Sequence, residues 1–226
     1  MKINLFFLIC ISACILIINS YSCSPARFVK PLNKNQQSAN ISLGGPLITY
    51  GNSVIPVPFL TANYGYGIDS SLTGFGSVNI TSALFANLQM ELGAAKQLCR
   101  QHTYLPALTI TPALNIIYRN KDAHKLYPQL TVNAFWEYGK RKNFFYIGID
   151  NWFELSQKRA FDIIQPNHWI FMPEAGHNFT LKKWNFIIET KVIAPNLSNQ
   201  NLVVDYQTPF KSHGALGVYF GLTRKF

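Results

Sequence analysis

The stretch GALGVYFGLTRKF, residues 214–226, carries the alternation that decides the fold. Apart from Arg224, one set of alternate residues is large and apolar: Phe226, Leu222, Phe220, Val218 and Leu216. The residues between them are small or carry a polar group: Lys225, Thr223, Gly221, Tyr219 and Gly217. A period of two residues is typical of a strand whose two faces meet different surroundings. The segment therefore predicts a β-strand with one apolar and one polar face.

The same alternation recurs through most of the chain. In QLTVNAFWEYG, residues 129–139, apolar and aromatic side chains occupy the even positions, and Thr131, Asn133 and Glu137 interleave with them. About ten segments of roughly ten residues share this pattern: 38–48, 58–68, 73–82, 84–94, 106–118, 127–138, 143–154, 167–176, 183–194 and 214–226. No helical period is sustained, so we expect an all-β chain.

The composition indicates which face of the sheet is apolar. Hydrophobic residues make up 48% of the chain and charged residues only 13%, against about 25% charged in soluble domains. A soluble sandwich or lipocalin-like barrel also alternates, but turns its apolar face inward. Aromatic residues at the ends of the apolar faces favour lipid on the outside: Tyr64, Tyr66, Trp136, Tyr138, Trp169 and Trp184. We expect a small antiparallel transmembrane β-barrel of about 10 strands, within 8–12.

Segment 1–22 predicts an export signal. Lys2 is followed by an uncharged, mainly apolar run at positions 3–18, and then by small residues. This order is typical of a signal peptide, and the run is shorter than the ~20 residues of a membrane-spanning helix. Cleavage by an ordinary signal peptidase and cleavage just before Cys23 both remain open. Segment 23–37 then predicts an N-terminal periplasmic tether, and 38–226 the barrel.

Two short motifs resemble those of bacterial outer-membrane proteins. Ser22 and Cys23 resemble the end of a lipoprotein lipobox, although Ser20 and Tyr21 depart from its usual Leu-Ala; the resemblance implies lipidation of Cys23. The strand ending in Phe226 resembles the C-terminal signature of outer-membrane barrels, from which Arg224 departs. The whole chain resembles the uncharacterised outer-membrane barrel lipoproteins of Bacteroidota. That resemblance implies a bacterial outer-membrane location with a periplasmic N-terminus.

Charged residues within the strands are expected to face the barrel lumen, because a charge facing lipid near the midplane costs ~2–4 kcal/mol. Their parity, meaning the odd or even position that decides which face of the strand a residue occupies, predicts a charge network in the lumen: Glu91, Arg119, Glu137, Asp150, Glu154, Glu189 and Lys191. Glu174 shares the inward parity. Carboxylates outnumber bases in this set, and buried unpaired carboxylates are costly. Three alternatives remain: a water-filled lumen, protonated carboxylates, or a plug formed by the basic tail with Arg27, Lys30 and Lys34.

Basic residues concentrate at one predicted end of the barrel. The chain has 20 Lys and Arg against 10 Asp and Glu. With both termini periplasmic, the periplasmic rim and tail hold twelve of them: Arg27, Lys30, Lys34, Lys96, Arg100, Lys140, Arg141, Lys142, Lys182, Lys183, Arg224 and Lys225. Two interpretations remain open, a rim that attracts anionic headgroups or an acidic partner and a rim that is simply solvated. We expect outer-membrane lipids and a larger outer-membrane protein complex as partners, and no nucleic acid.

A structural or accessory role in an envelope complex is the function we expect, without catalysis. The alternatives are a narrow pore and a lipid-modifying hydrolase or acyltransferase. The enzyme alternative depends on His177, which lies near Glu174 and Thr180 in a stretch that offers no serine nucleophile. The four cysteines have no zinc-ligand spacing. We therefore expect no catalytic residue, no cofactor and no metal.

Overall fold

The computed structural model describes residues 28–119, 123–158, 164–200 and 204–226. The predicted signal 1–22 and the predicted lipidation site Cys23 lie outside these ranges. The described chain forms one short helix, α1 (Ile80–Leu84), and eleven strands: β1 (Gln37–Tyr50), β2 (Ser53–Pro56), β3 (Phe59–Asp69), β4 (Leu72–Asn79), β5 (Asn87–Cys99), β6 (Ala107–Arg119), β7 (Ala123–Tyr138), β8 (Asn143–Phe153), β9 (Trp169–Thr180), β10 (Trp184–Ser198) and β11 (His213–Lys225). No helix within the described ranges is long and apolar enough to cross a bilayer.

Ten of the strands close into a barrel. Each strand from β3 to β10 pairs antiparallel with the next one along the chain, and β1 pairs with both β3 and β11. The closing register sets Ser38 opposite Lys225 and Asn40 opposite Thr223. Strand β2 is a short hairpin extension that pairs with β1. The prediction of a closed, antiparallel, all-β barrel of about ten strands is confirmed.

One connection differs from the sequence prediction. The segments expected at 73–82 and 84–94 are instead β4 and β5, separated by helix α1. The side chain of Asn79 caps the helix by accepting a hydrogen bond from Ser82 N at 2.9 Å. This local capping bond favours a helical turn over continued strand, because it satisfies a backbone donor that the first turn leaves free.

The two ends of the barrel differ in their connections. The end that holds Gln37 and Phe226, here the terminal end, carries short turns at 70–71, 139–142 and 181–183 and a seven-residue connection at 100–106. The opposite end, here the loop end, carries α1, the β1–β2 hairpin, and two long connections, 154–168 between β8 and β9 and 199–212 between β10 and β11. Long loops at one end and short turns at the other are typical of outer-membrane barrels.

The outer wall is apolar and the inner wall is polar. Exposed side chains on the outer wall include Ile41, Leu43, Tyr64, Leu92, Val132, Phe145, Ile147, Ile149, Phe186, Ile188, Phe220 and Leu222. Buried polar side chains on the inner wall include Asn40, Ser42, Asn63, Thr73, Gln89, Glu91, Thr109, Asn133, Asp150, Glu174, Glu189 and Lys191. A soluble protein has the reverse arrangement, since its apolar side chains pack inside. This barrel therefore has the surface of one that is solvated by lipid.

Residues 28–36 fold inside the terminal end and are here named the plug. The side chains of Phe28, Val29 and Leu32 are buried there. The Phe28 ring packs on Phe75, with 5.7 Å between ring centroids, and Leu32 N donates to Thr73 Oγ1 at 2.7 Å. The plug is therefore anchored both by apolar packing and by a hydrogen bond to the barrel wall.

Glycines of β3 make room for the plug. A Cβ atom at Gly65 would collide with the Phe28 ring, and one at Gly67 would collide with the backbone oxygen of Asn33. Gly67 also bonds the plug at both backbone groups, accepting from Asn35 N at 2.8 Å and donating to Gln36 O at 2.9 Å. Close backbone approach requires glycine at these positions.

The plug enters with its apolar side chains rather than with its basic ones. Lys34 is exposed, and Lys30 is half-buried and forms an ion pair with Glu137 at the rim. The sequence left a plug open as one of three ways to balance the lumen carboxylates. In the structure the plug fills the terminal end with Phe28, Val29 and Leu32 because burying apolar surface is favourable, whereas burying lysines is costly.

A positive charge on the outer wall should destabilise the barrel. Ile147 lies near the middle of β8, and 53% of it is exposed on the outer face. Changing Ile147→Arg should therefore cost about 2–4 kcal/mol in lipid. The matched control is Leu155→Arg, because Leu155 is 59% exposed but lies beyond the end of β8; a loss below about 0.5 kcal/mol is expected there. Urea titration in lipid vesicles, followed by heat-modifiable gel migration, measures both. Equal losses would contradict a lipid-facing β8.

Candidate functional site

A cluster of four charged side chains occupies the middle of the barrel interior and is here named the central cluster. Lys191 Nζ lies 2.6 Å from Glu174 Oε2, 3.5 Å from Glu189 Oε1 and 3.6 Å from Asp150 Oδ2. Strand β8 contributes Asp150, β9 contributes Glu174, and β10 contributes the other two residues. The β9–β10 register places Lys191 directly opposite Glu174. All four side chains are at most 1% exposed.

Neutral donors form hydrogen bonds with two of the three carboxylates, Glu189 and Asp150. Tyr146 Oη donates to Glu189 Oε2 at 2.5 Å. Asp150 accepts from Thr131 Oγ1 at 2.9 Å and from Trp152 Nε1 at 3.0 Å. Hydrogen bonds of this kind favour the ionised form of a carboxylate and offset part of the cost of burying it. The central cluster is thus held by the inward faces of β7, β8, β9 and β10.

Amide side chains extend the polar lining from the central cluster around the wall. With its amide assigned so that the nitrogen faces β5, Gln129 donates to Glu91 Oε2 at 3.0 Å. Its amide oxygen then shares the single indole N–H of Trp152, at 3.2 Å, with Asp150. Asn115 Nδ2 also lies 3.4 Å from Glu91 Oε2, and Asn115 Oδ1 accepts from Gln89 at 3.2 Å. The hydrogen-bonded belt therefore runs from β5 through β6, β7 and β8 to the central cluster.

The lining has a surplus of negative charge. The central cluster holds three carboxylates and one lysine, a formal charge of −2, and Glu91 adds another carboxylate to the belt. Ionised groups removed from water are costly unless they are paired and hydrogen-bonded. Because carboxylates formally outnumber lysine in this lining, a cation entering the lumen would meet an attractive field.

Apolar layers lie on both sides of the central cluster. Toward the loop end, a buried group packs together: Tyr127, Trp152, Ile170, Met172 and Tyr219. Toward the terminal end, Val29 of the plug packs with wall residues: Ala107, Phe135, Phe144 and Tyr146. The sequence predicted that charged residues lie in the lumen, but it did not predict these apolar layers. Several of their aromatic residues lie on faces that look polar in the sequence, so alternation alone gave no signal for them.

The structure brings together only part of the predicted lumen network. Glu91, Asp150, Glu189 and Lys191 line the interior as described, whereas Arg119 is exposed at the loop end of β6. Arg119 is the last residue of its strand, so its long side chain reaches solvent instead of the lumen. Glu174 had the predicted inward parity and is the nearest carboxylate to Lys191.

Glu137 and Glu154 lie at opposite rims. Glu137 pairs with Lys30 of the plug at the terminal end. Glu154 follows β8 at the loop end, where its Oε2 lies 3.1 Å from Lys125 Nζ and its Oε1 accepts from Ser156 N at 2.8 Å. Burial alone would raise the pKa of Glu154, but the hydrogen bonds from Ser156 and Lys125 outweigh it and lower that pKa below its ordinary value.

The structure separates the residues of the enzyme alternative. His177 faces outward from β9, where its Nε2 lies 2.6 Å from Tyr138 Oη and its ring lies 4.1 Å from that of Phe179. Glu174 faces inward to Lys191, and Thr180 Oγ1 donates to the backbone oxygen of Lys142. His177 therefore belongs to the outer aromatic surface and does not share a site with Glu174. Within the described ranges, no group of three or more His, Cys, Asp or Glu has the geometry to hold a metal.

Comparisons with known proteins agree with the architecture. The chain is similar to an outer membrane channel from Pseudomonas putida F1, with a TM-score of 0.52 and 10% identity over 91% of this chain and 100% of that chain. The NanC porin aligns with a TM-score of 0.47 and 8% identity, over 83% of this chain and 100% of the porin chain. The outer membrane protein OprG from Pseudomonas aeruginosa aligns with a TM-score of 0.34 and 9% identity, over 88% of this chain and 99% of the OprG chain. No family model and no curated protein matches the sequence. The chain has the fold of an outer-membrane β-barrel.

Proposed function

We propose that the protein is a narrow outer-membrane channel that favours small cations. The observation that carries this proposal is the central cluster, three carboxylates and one lysine inside a membrane-type barrel. Ionisable side chains at membrane depth are costly and usually mark a path for ions or substrates. Acidic linings select cations, and a barrel of this strand number leaves little internal width. The fold similarity to the P. putida channel lends further support.

The described conformation is a closed one in this proposal. The plug fills the terminal end, and the side chains of the central cluster are at most 1% exposed. Opening therefore requires the plug to leave the wall, the apolar layer toward the loop end to part, and water to enter beside the central cluster. The plug is held by apolar packing, by hydrogen bonds to Thr73 and Gly67, and by the ion pair between Lys30 and Glu137, so opening breaks these contacts and leaves the wall strands paired.

Orientation and lipidation remain proposals. We propose that the terminal end faces the periplasm, because the shorter turns of outer-membrane barrels lie on that side. We also retain the proposal that Cys23 is lipidated. Cys23 is five positions before Phe28, so a lipid there would hold the plug beside the periplasmic leaflet.

The selectivity of the open barrel tests the channel. The double change Glu174→Gln and Glu189→Gln should lower the ratio of potassium to chloride permeability from about ten toward one, because it removes the surplus carboxylates that concentrate cations. Reversal potentials in planar bilayers under a salt gradient measure it, in a variant with a released plug. The control is Asp69→Asn with Asp205→Asn, since both carboxylates are exposed at the rims. An unchanged ratio in the Glu174 and Glu189 variant would contradict this lining as the selective element.

An accessory structural role is the second candidate. The observation that favours it is the packed interior, with apolar layers on both sides of a fully buried central cluster. A barrel of this kind contributes a rigid, lipid-embedded body to an envelope complex without conducting. Absence of conductance in every plug-released variant that is correctly folded would favour this role over the channel.

A further inference from the structure

The terminal end carries a dense ring of positive charge, here named the basic collar. Eleven Lys and Arg side chains lie on its turns, strand ends and plug: Lys30, Lys34, Lys96, Arg100, Lys140, Arg141, Lys142, Lys182, Lys183, Arg224 and Lys225. Among the described residues, the same end holds two side-chain carboxylates, Asp69 and Glu137. The formal excess of side-chain charge is nine positive charges. At the loop end, four described basic residues face two carboxylates: Arg119, Lys125, Lys158 and Lys211 against Glu154 and Asp205.

The two carboxylates of the terminal end are already engaged by members of the basic collar that are less exposed. Glu137 pairs with Lys30, and Asp69 lies 3.9 Å from Lys96. The exposed members are therefore left to face outward: Lys34, Arg100, Lys140, Arg141, Lys142, Lys182, Lys183 and Arg224. Like charges this close repel one another, so an anionic surface would relieve the repulsion.

The basic collar lies at the depth of lipid headgroups. Exposed aromatic side chains project outward just inside it and form an interfacial girdle: Tyr64, Tyr66, Tyr138, Phe145, Phe179 and Trp184. The half-buried Trp136 joins the girdle by stacking on Phe145. Such girdles mark the boundary between hydrocarbon and headgroups. Arg224 joins the two layers, with its guanidinium 5.5 Å from the Trp184 ring centroid and 5.2 Å from that of Phe226. The cations are thus placed where phosphate groups lie.

We propose that the basic collar binds anionic phospholipid in the leaflet at the terminal end. Each Lys or Arg near an anionic surface strengthens binding by roughly fivefold, and the collar presents eight exposed ones in a ring. A lipid headgroup fits better than a soluble acidic protein because the cations border the aromatic girdle instead of projecting on long loops. This proposal does not depend on whether the barrel conducts ions.

Native mass spectrometry of the detergent-solubilised full chain tests the proposal. The probes are phosphatidylglycerol, which is anionic, and phosphatidylcholine, which is zwitterionic. The collar variant is Lys140→Gln, Arg141→Gln and Lys142→Gln, on the exposed turn between β7 and β8. The matched control also removes three exposed charges, Arg119→Gln, Lys158→Gln and Lys211→Gln, all at the loop end. Heat-modifiable migration confirms that each variant has folded.

The wild type is expected to prefer phosphatidylglycerol over phosphatidylcholine. The collar variant should lose about tenfold or more of its affinity for phosphatidylglycerol, and the loop-end control should stay within about twofold of the wild type. Raising the salt concentration should weaken the preference, because exposed charges are screened. No preference in the wild type would overturn the proposal and favour an acidic protein as the partner. Equal losses in the two variants would also overturn it, since net charge would then explain the binding.

Discussion

Changing Phe28→Asp together with Leu32→Asp should raise the ionic conductance of the barrel by about tenfold or more. Both side chains are buried at the terminal end, where Phe28 contacts Phe75 and Leu32 belongs to the same cluster. Two carboxylates buried there without partners would each cost several kcal/mol. Because about 1.4 kcal/mol changes a population ratio tenfold, the plug should leave the wall in most molecules. Single-channel recordings in planar bilayers measure the open fraction.

The plug itself offers a matched control. Asn33 and Lys34 are exposed positions of the same segment, so Asn33→Asp with Lys34→Asp adds two carboxylates without burying them. This control should conduct like the wild type. An equal rise in conductance in the two double variants would show that negative charge on the plug opens the barrel, and not the release of the plug from the wall.

A change in the wall releases the same plug without altering its sequence. Gly65→Val places side-chain atoms where the Phe28 ring lies, and it should raise conductance in the same direction. Gly74 is the matched control in the next strand, since a Cβ atom there would meet only Ile68 Cδ1, at 3.5 Å. If neither Gly65→Val nor the Phe28 and Leu32 pair conducts while the folded barrel persists, the plug does not close a channel.

Changing Lys191→Met should lower the free energy of unfolding by about 3–5 kcal/mol, because it leaves three buried carboxylates without their shared cation. Equilibrium unfolding in urea, with the protein in lipid vesicles and heat-modifiable migration as the readout, measures the loss. The exposed Lys211 supplies the control, and Lys211→Met should change stability by less than about 0.5 kcal/mol.

A compensating change separates charge from packing at Lys191. Combining Lys191→Met with Glu174→Gln and Glu189→Gln removes the cation together with two of the carboxylates it neutralises. This triple variant should recover most of the lost stability, since replacing a whole buried ionic group is far less costly than leaving part of it unpaired. A triple variant as unstable as Lys191→Met would mean that the lysine acts through its packing.

Much of the fold follows from the period of the sequence. Alternation predicts where Thr131, Asp150 and Glu189 point, because successive side chains of a strand face opposite sides. The outer wall follows equally, since Ile147 and Phe220 share the apolar parity. The main difference from the sequence prediction is helix α1, which lies between β4 and β5 where alternation predicted only a short connection. The side chain of Asn79 explains it, because it caps the first turn of the helix.

The sequence alone determined that each strand has one apolar and one polar face, because successive side chains of a strand point to opposite sides. The scarcity of charge and the aromatic residues at the strand ends then favoured lipid outside, and with it a barrel of about ten strands with polar side chains inside. Only the tertiary structure decided which groups meet. The strand register, fixed by residues far apart in sequence, sets Lys191 opposite Glu174 and brings Asp150 to the same point. Folding of the whole wall also creates the space beside Gly65 that admits Phe28. Alternation within a strand predicts which face each side chain occupies. Which side chains pair and pack depends on how neighbouring strands are aligned, and the sequence of one strand does not specify that.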